Sequence, residues 1–314
     1  MKISGNEYNC PNPQYLHTGQ TSRKQNALTD EKSKAESGGF PETAAIYEKS
    51  GTYDFGTYSV NQARSASLPE SALNSKMKTY LNALGFYDGE MSGSYTEEFK
   101  KALKCFQQAY WGSERCDVKN GIPDMLRSHI EDVGTAYYTN LSNSRLNDAL
   151  RKLGFDNTNI GEGRQNFARI QTFLQKGMGC TKFQVAGIMG NIKQECSFNP
   201  KTENSTGAFG ILQWRDNRRI FLEDFASKGG YSYKNMGVQL AYFRYEVSAT
   251  WKTDCTGGYA QNSNYVDSWR KLKSDYQYDF YGVSDFFFEK IEECTDDSDK
   301  IRRNYSSIIY QAIC

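Results

Sequence analysis

One glutamate, Glu195, stands where a predicted helix gives way to a turn. It belongs to the segment Gly-Asn-Ile-Lys-Gln-Glu-Cys-Ser-Phe-Asn-Pro, residues 190–200. The apolar residues around and before it recur at spacings of three and four, as in a helix with one buried face: Val185, Ile188, Met189 and Ile192. Asn199-Pro200 ends this helix, because proline lacks an amide donor and restricts the residue before it. We therefore expect Glu195 at a helix end, beside a cleft.

The chemistry open to such a carboxylic acid is proton donation to a glycosidic oxygen. We expect Ile192, Phe198 and Trp214 to surround Glu195, to disfavour its charged form and so to keep a proton available. A glutamate on an amphipathic helix is, taken alone, more often a solvated surface residue. A second motif nearby favours the catalytic interpretation.

This second motif, residues 207–214, reads Gly-Ala-Phe-Gly-Ile-Leu-Gln-Trp. Its glycines allow a polysaccharide to approach the backbone, the Gln213 amide can bond an N-acetyl group in both directions, and Trp214 offers a face for sugar stacking. We predict a minor β-hairpin around residues 207–213. The side chains expected to line the cleft are Gln213, Trp214, Phe209 and Tyr242.

Together, the two motifs resemble the lysozyme domain of phage tail-associated lysins, within the broader group of goose-type lysozymes and soluble lytic transglycosylases. Weaker similarity continues along the chain at Arg218-Arg219, Val238–Phe243, Glu246, Phe287–Glu289 and Arg302–Tyr305. The resemblance implies a mainly α, lysozyme-like α+β domain over residues 164–314. It also implies cleavage of peptidoglycan between N-acetylmuramic acid and N-acetylglucosamine, with Glu195 as the general acid.

The sequence departs from this group in ways that bear on mechanism. Cys196 follows the glutamate where relatives usually have Ser or Gly, and Ala208 stands where animal-type lysozymes carry a second carboxylate. A covalent route needs two carboxyl groups about 5 Å apart, and an inverting route roughly 6.5–9.5 Å. The candidate second carboxylates are Glu203, Asp216 and Glu246, none of them at the expected position. We therefore favour a single acid, and both hydrolysis and attack by the muramyl 6-hydroxyl, the transglycosylase route, stay open.

A second candidate module lies between residues 70 and 132. Apolar residues recur at helical spacing on both sides of a glycine-punctuated turn, which predicts two amphipathic helices. The segments that carry a resemblance are Leu84–Gly89, Gly93–Thr96, Phe106–Gln108 and Gly121–Asp124. They resemble the three-helix peptidoglycan-binding domain that accompanies many wall hydrolases. The alternative is a helical hairpin that serves as a spacer or docking unit.

The charge balance and the lack of long apolar runs limit the classes of partner that we expect. The 38 Lys and Arg against 37 Asp and Glu leave no field that would attract nucleic acid or an anionic membrane. No apolar run approaches the roughly 20 residues needed to cross a bilayer, and residues 1–7 lack the apolar core of a signal peptide. We expect neither a nucleic-acid partner nor membrane insertion, and we expect delivery by a phage tail or phage-like injection particle.

Histidine and cysteine usage argues against other wall-cutting chemistries. His17 and His129 are the two histidines and both lie outside the lysozyme-like region, so the clustered ligands of a zinc amidase are missing and we expect no metal or other cofactor. The eight cysteines include no CxxC pair. An even count in a protein acting outside the cell permits disulfides, and we expect one between Cys105 and Cys116. The opposing hypothesis is that all eight remain buried thiols.

The predicted order is a polar docking arm (1–69), the peptidoglycan-binding-like domain (70–132), a connector with one short helix (133–163) and the lysozyme-like domain (164–314). The arm would lie along tail or baseplate proteins, while the lysozyme-like domain would cut peptidoglycan glycan strands locally. One alternative is a structural tail or baseplate protein with an inactive lysozyme fold. Another is a free secreted autolysin or endolysin.

Overall fold

A computed structural model describes residues 69–248, 263–293 and 298–314. Residues 1–68, which hold nearly all of the predicted docking arm, lie outside the described residues. In the described ranges the chain forms helices only: α1 (Glu70–Ala83), α2 (Glu97–Trp111), α3 (Asp124–Leu141), α4 (Leu146–Lys152), α5 (Ile160–Thr172) with a π-helical turn (Phe173–Gly177), α6 (Lys182–Cys196), α7 (Asp216–Gly229), α8 (Met236–Val247), α9 (Ser263–Asp275), α10 (Phe280–Lys290) and α11 (Asp299–Ile313). The predicted mainly α fold is confirmed. None of these helices is both long and apolar enough to span a bilayer.

The predicted β-hairpin is reduced to two isolated antiparallel bridges, Glu203 with Phe209 and Phe209 with Trp214. No strand forms around them in the described part of the chain. The buried amide of Gln239 on α8 fixes this turn instead, because its Oε1 accepts from the Ile211 amide at 2.9 Å and its Nε2 donates to the Pro200 carbonyl at 2.7 Å. Side-chain bonding to the backbone therefore replaces the ladder of a hairpin.

The helix that carries Glu195 is the central element of the lysozyme-like region. Thr181 caps α6: its hydroxyl accepts from the backbone amide of Gln184, and the Gln184 side-chain oxygen accepts from the backbone amide of Thr181. Every residue from Gln184 to Lys193 is buried, because α10 and α11 pack against α6. The sequence predicted one buried stripe, and the structure instead surrounds the helix.

Helices α1–α3 pack directly on the lysozyme-like region. Helix α2 lies against α8, and the Gly85 carbonyl accepts from the Gly237 amide at 2.9 Å. Gly237 is required there, because an added Cβ would lie 2.5 Å from the Phe86 ring. Arg244 of α8 donates to the carbonyls of Ala109 and Tyr110 at 3.2 and 3.1 Å. Residues 70–132 and the lysozyme-like region thus share one hydrophobic core.

The expected connector is also more ordered than a linker. Helix α3 runs past residue 132 to Leu141, and residues 146–152 form the short helix α4. The Asn143 side chain donates to the Ala312 carbonyl of α11 at 2.7 Å, so this segment is tied to the end of the chain. The assignment of residues 70–132 to a peptidoglycan-binding domain stays a prediction.

The expected Cys105–Cys116 disulfide is wrong, since both cysteines are free. Cys105 points into the core beneath α2, where burial raises the pKa of its thiol. Cys116 is held elsewhere by backbone bonds to the Gln107 side chain, at 2.7 Å through its amide and 3.2 Å through its carbonyl. Cys180 and Cys196 are buried thiols, while Cys314 is exposed. The other three cysteines, Cys10, Cys255 and Cys294, lie outside the described residues.

Candidate active-site cleft

Glu195 lies in the last turn of α6, which ends at Cys196. The next two residues, Ser197 and Phe198, have left-handed backbone conformations with φ of 52° and 62°. This sharp change of direction buries the Phe198 ring, 6.0 Å from that of Phe155 and 5.5 Å from that of Phe167. Contacts with these two rings fix the turn, and Glu195 lies just before it, at the end of α6.

A cleft of about 330 Å³ opens at Glu195. Its wall combines one aromatic ring, small polar groups, side-chain amides and two carboxylates: Phe155, Asn159, Glu162, Gly163, Asn166, Gln194, Glu195, Cys196, Ser197, Asn199 and Thr202. Amides both donate and accept hydrogen bonds, and an aromatic ring offers an apolar face. Such a wall suits a saccharide that carries N-acetyl and hydroxyl groups.

A second part of the cleft wall comes from the start of α5. Asn159, Glu162, Gly163 and Asn166 follow one another at helical spacing and all line the cleft. The Asn166 side chain is buried and its Oδ1 accepts from Arg169 at 2.9 Å, whereas Glu162 is exposed to solvent. Glu162 is therefore a second carboxylate at the cleft, and it is not among the second carboxylates expected from the sequence.

The polar partner of Glu195 is Arg302 of α11. Its Nη2 donates to Glu195 Oε1, its Nη1 donates to Glu292 Oε2 at 2.9 Å and to Asn191 Oδ1 at 3.1 Å, and its Nε donates to Ser298 Oγ at 2.9 Å. Arg302 is only 2% exposed. The expected apolar surroundings of Glu195 are thus corrected, because α11 brings a guanidinium to the end of α6.

The aromatic residues expected in the cleft lie in the core instead. Trp214 is 0% exposed, and Phe209 and Tyr242 are each 2% exposed. Trp214 Nε1 donates to Glu246 at 3.2 Å, and the Tyr242 hydroxyl donates to the Arg218 carbonyl at 3.2 Å. None of these three rings leaves a face open to a sugar, and all three pack behind the turn.

Gln213 is half-buried behind the cleft wall. Its Nε2 donates to the carbonyls of Thr202 and Gly210, at 3.2 and 3.0 Å, and its own backbone is left-handed with φ of 45°. Since Thr202 lines the cleft, Gln213 contacts that wall from outside. Its amide nitrogen is committed to the protein backbone rather than held open for an N-acetyl group.

The structure does not bring the three expected second carboxylates to the cleft wall. Glu203 bonds Arg219 at 2.5 Å on the surface, and Asp216 is exposed. Glu246 is 8% exposed and accepts both Arg218 Nε at 2.7 Å and Arg218 Nη2 at 2.8 Å. Because Arg218 bonds both carboxylate oxygens of Glu246, the role of Glu246 is structural: it holds the Trp214 indole in the core.

Lys193, one turn before Ser197, adds a buried positive charge close to the wall. Its Nζ donates to Ser197 Oγ at 3.1 Å and lies 5.4 Å from the centre of the Phe155 ring. Burial lowers the pKa of Lys193. The Cys196 thiol contacts the Ile192 carbonyl at 3.3 Å, and burial raises its pKa, so it is an inert core group.

A sequence signal for part of the missed wall exists. The polar residues Asn159, Glu162 and Asn166 recur at helical spacing beside the buried Phe167 and Ile170, so the start of α5 has a polar stripe next to its apolar one. No comparable signal marks Arg302 and Glu292, because they lie about a hundred residues from Glu195 and reach it only through helix packing.

Comparison with known families adds an independent observation. Residues 165–313 match the family model described as phage tail lysozyme, and this range begins one residue after the predicted start of the domain. No curated protein and no solved structure shows a significant match to the chain. The match supports a lysozyme-like, peptidoglycan-directed enzyme at a general level. Residues 165–313, which hold Glu195, Arg302 and most of the cleft, are therefore similar to phage tail lysozymes.

Proposed function

We propose that this protein is a peptidoglycan glycosidase that cleaves the bond between N-acetylmuramic acid and N-acetylglucosamine, with Glu195 as the general acid. The observation that carries this proposal is the position of Glu195, at the wall of a cleft lined by amides and one aromatic ring. A glycan strand in that cleft would place a glycosidic oxygen within reach of the carboxyl group. The exposed side-chain amides of Asn159 and Asn199 would bond the N-acetyl and hydroxyl groups.

The proton transfer assigns different roles to the two oxygens of Glu195. Arg302 bonds Oε1, and no hydrogen bond to Oε2 is found among the described residues. A protonated Glu195 would therefore accept from Arg302 through its carbonyl oxygen and donate from Oε2–H to the leaving glycosidic oxygen. The C–O bond breaks as the proton arrives, and positive charge develops on the muramyl ring.

Glu162 is our candidate for the group that completes the reaction. It is the second carboxylate of the cleft wall, and its exposure to solvent allows it to hold a water molecule. As a general base it would take a proton from that water, whose oxygen then bonds the anomeric carbon. We therefore favour hydrolysis, which leaves a reducing muramyl end. Attack by the muramyl 6-hydroxyl would instead leave an anhydro end.

The test is mass spectrometry of soluble fragments from purified Gram-positive peptidoglycan. The wild-type protein is compared with Glu195→Gln and Glu162→Gln, and Asp216→Asn serves as the matched control because this exposed carboxylate lies outside the cleft wall. Reducing muramyl ends that disappear in both glutamine variants but persist in the control support the proposal.

Other product patterns have distinct meanings. Anhydromuramyl ends that survive Glu162→Gln would assign the transglycosylase reaction and remove the role of Glu162. An absence of glycan cleavage on walls from several species would support the alternative of a structural tail protein with an inactive lysozyme fold.

We also propose that the enzyme travels on a phage tail or phage-like particle and docks there through residues 1–69. The family description supports this location. Mass spectrometry of purified particles, with a variant that lacks residues 1–69, tests it. Particles that retain the truncated protein would refute the role of the arm, and abundant free protein with none on particles would favour an endolysin.

A further inference from the structure

Arg302 bonds several side chains besides Glu195. Its three nitrogens bond four side chains from three parts of the chain: Asn191 and Glu195 of α6, Glu292 after α10, and Ser298 before α11. The guanidinium also stacks over the Phe288 ring, with its carbon 4.4 Å from the ring centre. Few orientations of Arg302 satisfy all of these contacts, so the direction of Nη2 toward Glu195 is fixed.

The motif around Glu195 contains the residues that bring Arg302 close. A Cβ on Gly190 would lie 2.1 Å from Ser306 Oγ and 2.8 Å from the Arg302 carbonyl oxygen, so only glycine lets α11 approach α6 at this level. Asn191 then accepts from Arg302 through Oδ1, while its Nδ2 donates to the Gly187 and Ser284 carbonyls at 3.0 Å. Gly190 and Asn191 therefore place Arg302 against the carboxylate four residues further on.

Glu292 is a second counter-ion for the buried guanidinium of Arg302. A general acid must pass between ionised and protonated forms, and a buried guanidinium that lost its one counter-ion would be strongly destabilised. Glu292 is paired with Arg302, and its side chain is only 1% exposed, whereas that of Glu195 is 15% exposed and faces the cleft. The positive charge of Arg302 thus keeps a buried partner when Glu195 takes up a proton.

We infer that Arg302 is a positioning residue that holds Glu195 Oε1, and that Glu292 is the counter-ion that maintains this contact through both protonation states of Glu195. The inference rests on the proposed function. Among the residues that the structure describes, Glu162 lines the same cleft and Lys193 lies on the same helix, and neither of these charged side chains has a hydrogen bond to Arg302.

The first test is Arg302→Lys, which replaces the planar guanidinium of Arg302 by the single ammonium group of lysine. A lysine cannot bond Glu195, Glu292 and Asn191 together, so we expect kcat on soluble, stem-free glycan strands to fall about 10- to 100-fold. The KM should stay within about twofold, because Arg302 does not contact the glycan in this proposal. A variant that raises KM at unchanged kcat, or keeps wild-type kcat, would overturn the inference.

Arg303→Lys is the matched control, one position further along the same helix. Arg303 makes a bidentate pair with Asp285 at 2.7 and 2.6 Å on the surface, away from Glu195. The same chemical change there should alter neither kcat nor KM. Equal losses in both lysine variants would show a general effect on α11 and would also overturn the inference.

A second measurement covers the case in which Arg302→Lys fails to fold. Side-chain ¹⁵N–¹H spectra of the wild-type protein should contain separate, exchange-protected Nη signals from buried arginines, among them Arg302 and Arg218, and Glu195→Gln should shift the signals of Arg302. Arg303 signals should stay in place. If no arginine signal moves, the contact is refuted. This readout needs no activity, so wild-type protein that shows the signals but cleaves no glycan would refute the proposed function alone.

Discussion

Replacement of Trp214 by phenylalanine separates a core role from a sugar-binding role. The indole is fully buried, its Nε1 donates to Glu246 at 3.2 Å, and its ring packs edge-on against Tyr242 at 5.4 Å. A hydrogen bond to a charged acceptor contributes about 1.5–3 kcal/mol. The smaller ring adds a cavity term of about 1–2 kcal/mol. Because Glu246 keeps both bonds from Arg218, we expect a total loss in the lower part of the summed range, about 2.5–4 kcal/mol in the free energy of unfolding.

The assay combines thermal unfolding with cleavage kinetics. A loss of this size lowers Tm by roughly 5–15 °C for a folded unit of this length. The KM for soluble glycan should remain unchanged, since no face of the Trp214 ring reaches the cleft. Trp111→Phe is the control, because Trp111 is half-buried on α2 and stacks on His129, so its loss should lower Tm less.

One result would refute this reasoning. If Trp214→Phe kept the wild-type Tm and raised KM, the indole would contact the glycan, as the sequence alone suggested. The burial of the turn would then not describe the active protein.

Three further predictions concern packing, thiols and pH. Gly237→Ala, whose Cβ would meet Phe86, should lower the unfolding midpoint of α1–α3 and of the lysozyme region together, giving coincident transitions by circular dichroism and tryptophan fluorescence. Alkylation of native protein followed by peptide mass mapping should label exposed Cys314 and spare Cys196, whose thiol pKa is raised by burial. Burial lowers the pKa of His129 from 6.5, so its protonation favours the unfolded chain. Stability should be complete above about pH 6.5 and decline below it, and this decline, followed by Tm, should shrink in His129→Phe.

The elements near Glu195 were predictable because local signals agree there. The spacing of apolar residues and the proline at position 200 located the end of α6, and the glycines at 207 and 210 located the turn. The sequence did not predict the direction in which the side chains of this turn point. Trp214 could face either way from such a turn, and contacts with Glu246, 32 residues later, decide that it faces the core.

The rest of the candidate site depends on packing between distant helices. Glu162 belongs to a stretch that looked like the end of a connector, and only the fold of α5 over α6 brings it to the cleft. Arg302 reaches Glu195 across 107 positions, and the approach requires a glycine at 190. Sequence periodicity reports which face of a helix is apolar, and it does not report which helix covers that face.

The contact between α1–α3 and the lysozyme region limits how this enzyme can be dissected. Arg169 of α5 donates to the Ala83 carbonyl at 2.7 Å and to Asn166 in the cleft wall at 2.9 Å, so one side chain ties the first helix to the cleft. A fragment cut at residue 164 would leave Arg169 and the apolar face of α8 in water. A fragment designed to keep the cleft intact, or to carry a grafted binding module, should therefore begin at residue 70 so that α1–α3 stay in place.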